Sequence, residues 1–177
     1  MIRLFVALAL PESVAQGLLA MQFGVPGARW MNREQLHLTL RFIGEVDGRD
    51  AEAIDDALSA ISAPRFTLEL KGVGEFGGKN PRALWAGVAT SEPLLHLQRK
   101  IETAIQRIGL PAEERKFTPH VTLARLRAVS AGRVMDFLHD HALYASGPFE
   151  LREFVLFSSH TAPGGSLYVA ERSYPLR

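Results

Sequence analysis

Apolar residues recur along this chain with two periods, one of strands and one of helices. Ile2 to Leu10 is a short apolar run closed by Pro11-Glu12-Ser13. It predicts a buried strand, then a helix from Ser13 to Phe23 that Gly24 to Gly27 ends. A second strand is expected over Leu36 to Ile43. From Asp50 to Ile61 the apolar positions Ala53, Ile54, Ala57, Leu58 and Ile61 share one helical face, and Ser62-Ala63-Pro64 stops it. "RFTLELKGVGEF" alternates in part, "RALWAGVAT" is strand-like, and the turn Gly77 to Pro81 between them predicts an antiparallel hairpin. From Pro93 to Ile108 the helical face is Leu94, Leu97, Ile101, Ala104, Ile105 and Ile108, with Gly109 at the stop. A strand over Phe117 to Ala124, a helix within Val129 to Tyr144, and two strands around Pro163-Gly164-Gly165 complete the reading.

Strands follow one another through turns as often as through helices. The chain therefore reads as α+β with antiparallel pairing, not as a doubly wound parallel fold. A coarse echo runs through it: each half offers strand, helix, strand, helix and hairpin. That predicts two similar lobes, one per half of the chain, within a single domain over residues 1–177.

Composition removes several function classes. The chain has no cysteine, so disulfide frameworks and thiolate metal clusters are out. Twenty Lys and Arg stand against 19 Asp and Glu. Such a balance does not suit strong non-specific binding to long nucleic acid, although local charge can still hold a small anion. The opening "MIRLFVALALPESV" is too short and too quickly broken for a signal peptide, and no apolar run is long enough to span a bilayer. A cytoplasmic monomer away from membranes is expected.

The chemistry is carried by a pattern that occurs twice. "LHLTLRFIGEV" begins at Leu36 and "PHVTLARLRAV" at Pro119, each containing His-x-Thr-Leu. With 6 His and 7 Thr in the chain, chance placement gives roughly 0.24 His-x-Thr triplets, so two matched copies are informative. In a strand, alternate side chains share a face. His37 and Thr39 then point one way and Leu36, Leu38 and Leu40 the other; His120 and Thr122 oppose Val121 and Leu123 in the same manner. Two such strands facing each other would enclose two imidazoles and two hydroxyls.

Histidine titrates near neutrality, so one ring can be protonated while the other is neutral. That pair suits in-line attack of water on phosphorus, with one His as base, the other as acid, and the hydroxyls of Thr39 and Thr122 on the phosphoryl oxygens. No Gly-x-Ser-x-Gly, Walker or dinucleotide glycine pattern competes. Two other readings stand beside it. The histidines could be unrelated, satisfied strand residues, or two ligands of a zinc site, which would need a third or fourth ligand that neither motif supplies.

These residues resemble the two-histidine phosphoesterases, and within them the RNA 2',3'-cyclic phosphodiesterases, also called 2'-5' RNA ligase-like proteins. "RLFVAL", "WMNREQLHLTLRFIGEV", "FGGKNPRALWAGV" and "FTPHVTLARL" are similar, in order, to the family's opening strand, first motif block, central hairpin and second motif block. The resemblance implies a bilobal α+β fold: two pseudo-symmetric lobes with antiparallel sheets around a central groove, helices outside. It implies hydrolysis of an RNA-terminal 2',3'-cyclic phosphate to a 2'-phosphate end, with no metal or cofactor. His37 would be the general acid and His120 the general base. Arg125 would assist the phosphate. Alternatives within this reading are a small cyclic nucleotide or 2'-5' oligonucleotide as substrate, or a protein that binds RNA ends without turnover.

Strict alternation sets Arg125 on the face away from His120, so its role requires a bulge or strand end. Arg41 has the parity to face the site. Phe42 has the parity of a core residue. Trp30, Phe117 and Phe149 could stack on a base, though each also suits the core. Arg29 and Lys79 could reach RNA phosphates or simply be solvated. His96, His139, His141 and His160 need no catalytic explanation.

Overall fold

A computed structural model describes residues 1–177. In chain order the elements are β1 (Ile2–Ala9), α1 (Glu12–Leu19), β2 (Arg29–Trp30), a 3-10 helix (Arg33–Gln35), β3 (His37–Val46), α2 (Gly48–Ser59), β4 (Phe66–Phe76), β5 (Ala83–Val88), α3 (Glu92–Arg107), β6 (His120–Arg125), α4 (Ala131–Asp140), β7 (Ala145–Leu151), β8 (Glu153–Ala162) and β9 (Gly165–Pro175). The expected α+β class holds, and every strand pair is antiparallel.

Local signals account for the helix ends. Asp47 and Ser91 accept hydrogen bonds from Asp50 N and Leu94 N, capping α2 and α3. Gly109, with φ 97°, supplies the left-handed residue after α3. Asn32 and Gln35 form a reciprocal capping box around the 3-10 helix that leads into β3. The apolar faces land inside. Ile54 and Leu58 of α2 and Leu94, Leu97, Ile101 and Ile105 of α3 are buried in one core of 37 residues. Each such side chain stabilises the fold by about 1.5–3 kcal/mol.

The strands form one sheet in the order β7-β4-β5-β6-β3-β1-β8-β9, with the short β2 against β6. Its midline is the contact of β3 with β6, a single register pair, Leu38 with Val121. Four strands lie on each side, so the two anticipated sheets are joined into one. The halves are not the two halves of the chain, as the sequence echo suggested. β3, β1, β8 and β9 draw one side from both chain ends, and β6, β5, β4 and β7 take the middle. The closing segment holds three strands where two were expected. Gly147-Pro148 hid β7, whose outer position beside β4 tolerates a proline that a central strand would not.

Candidate active site

The two motif strands pass side by side at the sheet midline. Pairing ends after Leu38 and Val121, so the strands part and a cavity opens between them. Antiparallel register about that pair sets His37 across from Thr122 and His120 across from Thr39. All four side chains line the cavity, while Leu38, Leu40, Val121 and Leu123 are buried on the opposite face.

Each motif strand then carries a bulge at its Leu. On β3, Val6 pairs with Arg41 and Ala7 with Thr39, so Leu40 is the extra residue. On β6, Leu84 pairs with Ala124 and Trp85 with Thr122, so Leu123 is extra. An extra residue reverses the alternation beyond it. Arg125 therefore returns to the face of His120 and lines the cavity. The same reversal corrects two readings on β3. Phe42, expected in the core, is 39% exposed and lines the cavity, with the Arg3 guanidinium 5.3 Å from its ring centroid. Arg41, expected at the site, is 7% exposed and paired with Glu102; it also donates to the carbonyls of Phe42 and Pro111.

Backbone contacts fix both imidazoles. His120 Nδ1 lies 2.6 Å from the Thr118 carbonyl, which can only accept, so Nδ1 carries the proton. Its Nε2 has no protein hydrogen-bond partner, and the ring lines the cavity. His37 Nε2 lies 2.9 Å from Thr39 Oγ1, which leaves Nδ1 for the backbone of Gln35. Burial pushes the His37 pKa down to about 4, against the Gln35 contact that raises it, and the charges of His120 and Arg125 lower it further. His37 is thus neutral at pH 7 in the free protein. Phe5 (4.9 Å), Tyr168 (5.3 Å) and Phe157 (6.1 Å) surround its ring, centroid to centroid. Phe76 meets the His120 ring edge-on at 5.0 Å.

The remaining expected contacts fall outside the cavity. The Arg29 guanidinium lies over Gly165, 2.8 Å from where a Cβ would project. Lys79 is exposed on the β4–β5 turn. Phe149 packs against the core from β7, and Trp30 packs on Phe137 at 5.8 Å. Nowhere are three or more His, Cys, Asp or Glu side chains grouped to hold a metal ion. No helix is long and apolar enough to cross a membrane.

Residues 10–162 match the family model of the 2'-5' RNA ligase superfamily. The chain belongs to that superfamily. A protein of Aeropyrum pernix named RNA 2',3'-cyclic phosphodiesterase is 39% identical over 148 residues, covering 82% of this chain and 84% of its own. One of the same name from Thermus thermophilus is 32% identical over 187 residues, covering 99% and 90%. Among solved structures, Escherichia coli LigT in complex with 3'-AMP superposes with a TM-score of 0.82 at 27% identity, over 99% of this chain and 98% of its own. The resemblance to the two-histidine phosphoesterases read from the motif blocks is thereby borne out, in family and in fold.

Within this cavity, three residues lie outside the motif blocks. Ser159 comes from β8, and Ser166 and Tyr168 come from β9 at the far end of the chain. Only the interleaved topology brings them to His37. Phe42 did have a signal. In both motifs the residue five places after His lies beyond the bulge, so Phe42 and Arg125 are equivalent positions.

Proposed function

We propose that this chain, as one bilobal catalytic domain, hydrolyses an RNA-terminal 2',3'-cyclic phosphate to a 2'-phosphate end by metal-independent acid–base catalysis. The observation that carries the reading is the pair of imidazoles held by their backbone contacts, each with Nε2 toward one cavity, among hydroxyls and guanidiniums but no carboxylate. Such a cavity suits an anion that is attacked on one side and relieved of a leaving group on the other.

His120, with a proton on Nδ1 and a free Nε2, has the form a general base requires. It takes a proton from water as the water oxygen bonds to phosphorus. The P–O3' bond breaks, and His37 gives a proton to the departing 3'-oxygen. His37 is neutral in the free protein, so its acid role depends on the substrate. A phosphate anion beside it favours the imidazolium. Thr39, Thr122 and Arg125 hold the non-bridging oxygens. The acting form in this reading is a monomer on an RNA end, in the cytoplasm. The relatives' names favour an RNA end over a small cyclic nucleotide or a binding-only role.

Phosphorus NMR of an oligoribonucleotide ending in 2',3'-cyclic phosphate, followed in EDTA, tests the reading. Conversion to the 2'-phosphate alone is expected. A 3'-phosphate product would overturn the leaving-group assignment, and no conversion would overturn the activity.

A further inference from the structure

The cavity opens into a second, wider groove. Thr39, Phe42, His120 and Arg125 line both, and the room rises from about 210 Å³ to about 610 Å³. One wall is the loop 110–118 between α3 and β6; the other is the end of the β4–β5 hairpin. The groove carries Arg82, Arg115 and Lys116, together with the half-buried Phe76 and Phe117.

The loop is braced. Arg41 donates to the Pro111 carbonyl, Glu102 accepts from Glu113 N at 2.9 Å, and Glu113 accepts from Arg115 N at 3.0 Å. The backbone that carries Arg115 and Lys116 is therefore held against α3. Arg82 and Lys116 are exposed and form no ion pair, and Arg115 meets only Glu113, at 3.5 Å. The single phosphate in the cavity already has Arg125 and two threonines. Three more cations and two aromatic rings exceed what one cyclic nucleotide needs. Cations that track a backbone beside rings for bases are the recognition chemistry of a single strand.

We propose that this groove binds the single-stranded RNA nucleotides that precede the cyclic-phosphate end, with Arg82, Arg115 and Lys116 on their phosphates and Phe76 and Phe117 against their bases. The proposal rests on the phosphodiesterase reading and names its substrate as a polynucleotide end.

The test compares kcat/KM for a pentanucleotide and for a mononucleotide, both ending in 2',3'-cyclic phosphate, in wild type and in Arg82→Ala/Lys116→Ala. Wild type is expected to prefer the pentanucleotide at least about tenfold, and the double variant to lose most of that preference. The log–log salt slope for the pentanucleotide should flatten by about 1.4, the share of two single-strand phosphates. Arg82→Lys/Lys116→Arg should keep both the preference and the slope. Preference and slope unchanged in the double variant would overturn the proposal, as would equal losses on the two substrates. If wild type hydrolyses neither substrate, the phosphodiesterase reading fails instead. Fluorescence anisotropy with a labelled single-stranded RNA ending in a 3'-phosphate then judges the groove alone: weaker binding by the double variant supports it, and equal binding overturns it.

Discussion

At the scale of single residues, the site depends on how the protein treats two chemically identical rings. His120 Nε2 is left without a protein partner, and His37 is pressed toward neutrality chiefly by burial, with the charge of Arg125 adding to it. His37→Ala and His120→Ala should each lower kcat/KM by about 10²–10⁴-fold, the range of acid–base catalysis, measured on a cyclic-phosphate substrate. Losses under tenfold in both would remove the histidines from the mechanism. The coupling of His37 to Arg125 has its own readout. In Arg125→Ala the His37 resonance, followed by proton NMR across pH, should titrate above the wild-type value of about 4, because a neighbouring cation has gone. Inorganic phosphate added to wild type should raise it as well. An unmoved midpoint in both experiments would dismiss the electrostatic link and with it the proposed acid form of His37.

The bulges matter at the scale of elements. The spacing of apolar and polar positions made most strands, the four α-helices and the four His/Thr positions readable from sequence. It misplaced Arg41 and Phe42 because one extra residue, Leu40, reverses every side chain beyond it. A trace of that reversal was present: Leu123 and Ala124 are adjacent apolar residues at the end of a strand that otherwise alternates. The equivalent of Ala124 on β3 is Arg41, so a guanidinium occupies a buried position that the other strand fills with a methyl group. Only Glu102 and two carbonyls make that tolerable. Arg41→Met should destabilise the protein by about 2–3 kcal/mol in urea unfolding, since Glu102 loses its partner, and adding Glu102→Gln should recover much of the loss. Ala124→Arg, which forces a guanidinium into a fully buried methyl position, should unfold more readily than either. A stability equal to wild type would contradict the equivalence of the two strands.

At the scale of the molecule, the depressed His37 pKa ties the site to acid stability. Between about pH 6.5 and 4 the unfolded chain binds a proton that the folded one refuses. The stability this group contributes is therefore whole above about 6.5 and is lost as pH falls toward 4. The loss should be about 2 kcal/mol, allowing for partial exposure, and His37→Gln should flatten that part of the curve in denaturant melts. The least legible feature at this scale was the partition of the chain. The sequence echo pointed to one lobe per half, and nothing in the local pattern says that β1 will wait for β8. That waiting has a consequence for synthesis. Strands β4 to β7 form a contiguous set that can pair as they leave the ribosome, whereas β1, which flanks the strand bearing His37, lacks its outer neighbour β8 until the final strands emerge. Phe157 and Tyr168, which pack around His37, arrive last. The nascent chain should thus hold a shaped second motif and an unfinished first one, and catalytic competence should appear only when the last residues are free to fold back.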